Sequence, residues 1–411
     1  MTISNIVIKK ISPAQLFMGS ALLVNGGNYL YNLALGRILG PEAFAEAALL
    51  ITLLLVLSFI GMTFQLVTAK FAVLLSEEDY SHFQNTIYTY SLAFGMAIGI
   101  MVIYFAPELQ ILFQTQNAWM FTIFGVGIPI YFLMSVNRGK YQGFQNFGKL
   151  SFTYQTEMWS RLIITVLLLI LLPFEPAILV ALGIGLSFLF GLIPMDFKEV
   201  TIFTKNRLSK ANTKKVLQFI GLTAGYELTQ IIINNSDILL VKHYFDALEA
   251  GLYASLALIG RVVYFVAWMF VMLLLPKVVQ KHKDGEPTVP VLSKYIGFIG
   301  VLSLGIVMAC YLFPGTIINL LFGEAYLSMA PLLWQYALAT SLFAISNIFA
   351  YYFLSLDHYI PVILSGILGV SQVLLIVLFH SSLTMIVQIQ IIVMVALLVA
   401  QALYFFSKSI K

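Results

Sequence analysis

Few polar side chains interrupt the long apolar stretches of this chain, and their spacing shows what chemistry they are able to do. Glu227, Gln230, Asn234 and Asp237 follow one another at intervals of three, four and three, which on a helix places all four on one face. Asn25, Asn28 and Asn32 repeat at three and four beside Gly26 and Gly27, where a bend or a close backbone approach is permitted. Glu157 precedes Arg161 by four residues, the favourable order for an ion pair along a helix. Arg261 and Glu227 reach similar depth along neighbouring stretches, so the sequence predicts that they meet. Two readings of these groups are open. A guanidinium is a planar fork of donors that binds phosphate oxygens bidentately, so Arg161 and Arg261 suit an anion. The same charges also suit compensated pairs that fix helix packing, and the asparagine faces suit interhelical hydrogen bonds.

Other chemistry is not encoded. There is no phosphate-binding glycine loop, no H-E-x-x-H and no nucleophile elbow. The five histidines are scattered without metal-ligand spacing, and the single cysteine, Cys310, excludes a disulfide framework and a cysteine-based metal cluster. No catalytic residue, metal or cofactor is therefore expected.

The elements that position these groups follow from composition. Of the 411 residues, 60% are hydrophobic and 10% charged, with a mean hydropathy of +0.95; a water-soluble domain carries about 25% charged residues. A bilayer core about 30 Å thick takes roughly 20 apolar residues per helix. Runs of that length are predicted at 12–35, 43–69, 85–105, 118–136, 152–173, 176–195, 216–241, 251–276, 291–313, 329–353, 360–379 and 383–406. Lys9 and Lys10 precede a first stretch long enough to stay in the bilayer, so no cleaved signal is expected. With the N-terminus in the cytoplasm, all of the 22 basic residues except Arg37, Lys242, Arg161 and Arg261 fall on the cytoplasmic side or at helix ends facing it. That asymmetry predicts an inner (cytoplasmic) membrane protein with both termini cytoplasmic. The fold class expected is all-α, a polytopic bundle of about twelve transmembrane helices. Its predicted divisions are a six-helix lobe over 1–197, a basic cytoplasmic linker over 198–215 and a second six-helix lobe over 216–411.

The lobes echo each other. NYLYNLALGRILGPEAFAEAALL (28–50) parallels NSDILLVKHYFDALEAGLYASLAL (235–258), and FAPELQILF (105–113) parallels FPGTIINLLF (313–322). An even number of helices per lobe makes the repeats parallel, related by an axis along the membrane normal, with a cavity expected between them.

These passages also resemble a known family. The run from Asn28 through Leu35-Gly36-Arg37, Leu39-Gly40-Pro41-Glu42 and Phe44, the passage with Asp237, Glu249-Ala250-Gly251-Leu252-Tyr253-Ala254 and Arg261, and Pro276 are similar to the polysaccharide transporter branch of the multidrug/oligosaccharidyl-lipid/polysaccharide exporter superfamily. The resemblance implies a two-lobed, V-shaped bundle with a cationic central cavity that flips polyprenyl-diphosphate-linked oligosaccharides for O-antigen, capsule and related polymers. Arg37, Asp237, Gly251, Tyr253 and Arg261 stand at the matching positions; Arg161 and Glu227 match no motif and rest on depth alone. Implied partners are the lipid-linked oligosaccharide, membrane lipids, a proton or sodium ion for coupling, and the polymerase and glycosyltransferases of the same polymer, with no nucleic acid. The alternatives are a multidrug cation antiporter of the same superfamily and a non-transport membrane assembly protein. The short external loops and missing motifs speak against an enzyme.

Overall fold

The computed structural model describes residues 13–195, 210–264, 284–356 and 360–409, with 267, 274, 278, 281, 282 and 358 singly between them. Lys9, Lys10, positions 198–209 of the expected linker, Pro276, Lys277, Lys283 and Lys411 lie outside the described residues, as do the side chains of Glu227 and Gln230. In order, the helices are α1 (Pro13–Leu74), α2 (Glu77–Tyr104), α3 (Ala106–Phe113), α4 (Trp119–Gly143), α5 (Phe147–Leu171), α6 (Pro176–Gly191), α7 (Lys210–Tyr244), α8 (Ala247–Gly260), α9 (Val289–Leu312), α10 (Pro314–Leu321), a 3-10 helix (Glu324–Leu332), α11 (Leu333–Ser355), α12 (Ile360–Leu378) and α13 (Leu383–Ser409). Among the described residues there is no strand, and nine helices are long and apolar enough to cross a bilayer. This is a polytopic all-α membrane protein.

Each expected apolar run coincides with a helix where it is described, apart from residues at its ends such as 172–173 and 192–195. The first two runs are continuous within α1, which breaks at Gly40, where φ is 71°. That positive φ favours glycine, and Pro41 then contributes no N–H to the helix that restarts. Local capping sets other starts. Ser76 accepts from the Asp79 amide, with Glu77, Glu78 and Asp79 in the first turn of α2; Asn146 opens α5 and Asp246 opens α8 in the same way. The echoed sequences at 105–113 and 313–322 form short helices of eight residues each, α3 and α10.

The chain divides into two compact units that differ from the expected lobes. One comprises 1–31, 60–109 and 117–224; the other comprises 32–59, 110–116 and 225–411. The middle of α1 thus groups with residues of the second half, and α7 is shared at Ala224/Gly225. In the first unit Val67, Phe71, Phe83, Ile87, Tyr88 and Val136 form an apolar core. In the second, Val263, Leu292, Ile299, Ala344, Ile348 and Tyr352 do so. Their outer surfaces stay apolar: Leu171 on α5 of the first unit is 71% exposed and Val301 on α9 of the second is 75% exposed, as expected where lipid replaces water.

Gly251 illustrates how tightly the second unit is packed. A Cβ at this position would lie 1.8 Å from the Pro41 carbonyl oxygen, so only glycine lets α8 pass under the kink of α1.

Candidate functional site

Each unit encloses a cluster of buried charge built around an arginine–carboxylate pair. In the first, Glu157 and Arg161 lie one turn apart on α5, and Arg138 enters from the end of α4. Glu157 Oε1 accepts from Arg161 Nη1 at 3.1 Å, as the four-residue spacing predicts, and Oε2 accepts from Arg138 Nη2 at 2.7 Å. Arg138 also donates through Nε to the Thr153 hydroxyl and through Nη2 to the Thr153 carbonyl, both at 3.0 Å. Its guanidinium lies 3.9 Å over the Tyr154 ring. Arg161 Nη2 donates to Asn28 Oδ1 of α1. All three charged residues are buried, and two guanidinium groups share one carboxylate. Arg161 Nε is buried and makes no hydrogen bond among the described residues. The cluster is formally cationic and keeps one donor in reserve.

In the second cluster the carboxylate of Asp237 is saturated. Asp237 Oδ1 accepts from Arg261 Nη2 at 2.8 Å, while Oδ2 accepts from Tyr336 at 2.7 Å, Tyr253 at 3.2 Å and Gln390 Nε2 at 3.3 Å. Arg261 Nε donates to the Tyr336 hydroxyl at 3.1 Å. Arg261 therefore pairs with Asp237, about three turns along α7 from Glu227. The contact expected between Arg261 and Glu227 falls on a side chain outside the described residues. Beside the pair is a cavity of about 20 Å³, lined among others by Asn234, Asp237, Arg261, Tyr336 and Gln390. A space of that size holds roughly one water molecule. A diphosphate does not fit it in this conformation.

The remaining expected residues are dispersed. Asn234 Nδ2 donates to the Tyr264 hydroxyl at 3.3 Å, sharing the Asp237 cavity as its helical spacing predicts. Asn25 is exposed, Asn28 is half-buried on Arg161, and Asn32 is half-buried in the other unit. Arg138, counted from its place in the sequence as a cytoplasmic-side charge, is 3% exposed and belongs to the first cluster. Lys242, counted as external, is 2% exposed and donates to the Gln114 carbonyl at 3.2 Å. Tyr336 and Gln390 were not singled out by spacing. Gln390 carries a signal all the same, being with Gln388 one of two amides in an otherwise apolar stretch, IVQIQIIVMVALLV, where a buried amide needs a partner.

The arrangement of helices is shared with transporters of known structure. It matches a lipid II flippase, MurJ, in an inward closed conformation with a TM-score of 0.75 at 15% identity, over 96% of this chain and 87% of that one. It matches a multidrug resistance MATE family transporter of the MOP superfamily, inward-facing, with a TM-score of 0.74 at 14% identity, over 92% and 94%. A MOP superfamily transporter from Pyrococcus furiosus matches with a TM-score of 0.57 at 14% identity, over 95% and 93%. The fold is thus of the MATE and MurJ class. Within it, the chain belongs to the family of polysaccharide biosynthesis proteins, whose pattern it follows over residues 34–331, in line with the resemblance read from its motifs. No curated protein matches the sequence significantly.

Proposed function

We propose that this protein is a flippase that carries a polyprenyl-diphosphate-linked oligosaccharide across the cytoplasmic membrane, by alternating access, for a surface polymer of the O-antigen or capsule type. Family membership on a transporter fold supports the class. The observation that carries the substrate is the guanidinium surplus at Arg138–Glu157–Arg161, since an ionisable group at membrane depth costs at least about 2.5 kcal/mol and is kept for a partner or a function. A diphosphate exchanges for Asn28 on the Arg161 fork and takes up its idle Nε, while the polyprenyl tail stays in lipid. Glu157 holds both forks in place. Arg261, whose Nε and Nη2 already donate to Tyr336 and Asp237, holds α7, α8 and α11 together. In this reading both termini are cytoplasmic, glycosyltransferases supply the substrate, a polymerase consumes it, and a proton or sodium gradient drives transport.

The multidrug cation antiporter, whose fold is the same, is the competing reading. Purified protein in proteoliposomes separates the two. Transport of a polyprenyl-diphosphate oligosaccharide, and none of lipophilic cations such as ethidium, is the expected result; ethidium efflux without lipid flipping overturns the proposal. Collapsing the proton and sodium gradients separately identifies the coupling ion.

A further inference from the structure

Within the second unit, α12 meets α7 through glycines. A Cβ at Gly369 would lie 2.8 Å from Ile233 Cγ1, and one at Gly366 would lie 3.6 Å from the Thr229 hydroxyl, so the two helices approach closely on this face. Gln372 stands three residues beyond Gly369, on the same face, and is 1% exposed. Its Nε2 donates to the Ser236 hydroxyl at 3.4 Å, but its Oε1 is buried and accepts from no group among the described residues. A buried amide oxygen without a donor is costly, and lipid around the bundle offers none. An idle donor lines the same small cavity beside Asp237. Arg261 uses Nε on Tyr336 and Nη2 on Asp237, and its Nη1 makes no hydrogen bond among the described residues. The cavity wall therefore includes an acceptor from α12 and a donor from the end of α8, around space for about one water.

We propose that this cavity is the site of one internal water, which accepts from Arg261 Nη1 and donates to Gln372 Oε1, and that it takes no cation. Two polar partners suffice for a buried water. Thr340, also on the wall, donates its hydroxyl hydrogen to the Gly260 carbonyl at 2.7 Å and keeps lone pairs for the second water hydrogen. Charge balance excludes the cation. Asp237 is the one carboxylate on the wall among the described residues, and Arg261 already neutralises it at 2.8 Å. A second positive charge would face the guanidinium across a space one water wide, where little solvent screens the repulsion. The water ties α12 into the network that joins α7, α8, α11 and α13. One consequence rests on the flippase reading: a sodium gradient does not act through Asp237. The water itself is testable without transport, so it can fail while that reading stands.

Synchrotron X-ray footprinting reads buried water directly, because radiolysis of a bound water oxidises the side chains beside it, methionine to its sulfoxide among them. Met394 lines the cavity and is 3% exposed. It should be oxidised at least fivefold faster than Met134 and Met158, which are equally buried but packed against Gly191 and Gly27. In Gln372→Leu, which removes the acceptor, the rate at Met394 should fall at least threefold while the two reference methionines are unchanged. Oxidation of wild-type Met394 no faster than the references shows a dry cavity and overturns the proposal, and an undiminished rate in Gln372→Leu overturns the bridge to Gln372. For the cation, melting temperatures of the wild type in sodium chloride and in potassium chloride of equal concentration should agree within about 1 °C. A sodium-specific rise that Gln372→Leu abolishes places the ion in the cavity and overturns its exclusion.

Discussion

Glu157→Gln is expected to be the most damaging single change in the first cluster. The carboxylate is 8% exposed and accepts from Arg138 at 2.7 Å and Arg161 at 3.1 Å. Removing its charge leaves two buried guanidinium groups facing each other, and an uncompensated buried charge costs about 3–5 kcal/mol. Arg161→Gln removes one cation but leaves Arg138 on Glu157, so its cost is that of a charged hydrogen bond, about 1.5–3 kcal/mol. Arg138→Gln falls in the same range, with the added loss of packing on Tyr154. Adding Arg138→Gln to Glu157→Gln removes one of the stranded cations, so the double variant should be less destabilised than the sum of the two singles. The assay is reversible unfolding in mixed micelles, read as free energy for each single and double variant. If Glu157→Gln is no more destabilising than Arg161→Gln, the shared-carboxylate account is wrong.

Other changes give equally direct readings. In the second cluster, Asp237→Asn should destabilise by about 3–5 kcal/mol because it strands Arg261, and Tyr336→Phe, which removes charge-assisted hydrogen bonds to Asp237 and from Arg261, should cost about 1.5–3 kcal/mol for each bond lost; unchanged unfolding free energies in the same micelle assay contradict the cluster. Gly251→Ala drives a Cβ into the Pro41 carbonyl and should lower stability by about 1–3 kcal/mol, so an unchanged melting temperature would show that α8 and the kink of α1 are not in contact. For topology, a cysteine at Thr115 should be labelled by a membrane-impermeant maleimide from outside cells and one at Ser209 only after lysis. Labelling of position 209 in intact cells reverses the orientation.

The helices were legible in the sequence because a bilayer demands runs of apolar residues, and each of the twelve runs overlaps a helix where described, with differences only at its ends. Periodicity within one helix was legible too. Glu157 with Arg161, and Asn234 with Asp237, share faces as their spacing requires. Contacts between helices were not, because spacing along a chain says nothing about rotation of one helix against another. Arg261 consequently finds Asp237, and Arg138, near a run of loop-like glycines and lysines, turns inward to Glu157. Tyr336 was hidden for a different reason: a tyrosine in an apolar helix is ordinary until its hydroxyl is seen on a buried carboxylate. The kink of α1 was half legible, since Gly40–Pro41 marks a break but not that the two flanking helices run on as one element.

Flipping per folded molecule by Arg161→Lys bears most directly on the central claim that the guanidinium cluster holds the diphosphate. Lysine keeps the charge and still neutralises Glu157, but it lacks the fork and the idle Nε. Proteoliposomes loaded with equal amounts of monodisperse wild-type and variant protein should therefore show flipping of the polyprenyl-diphosphate oligosaccharide reduced at least tenfold, with the melting temperature nearly unchanged. Wild-type flipping by a stably folded Arg161→Lys would mean that the cluster only packs helices and that the diphosphate is bound elsewhere.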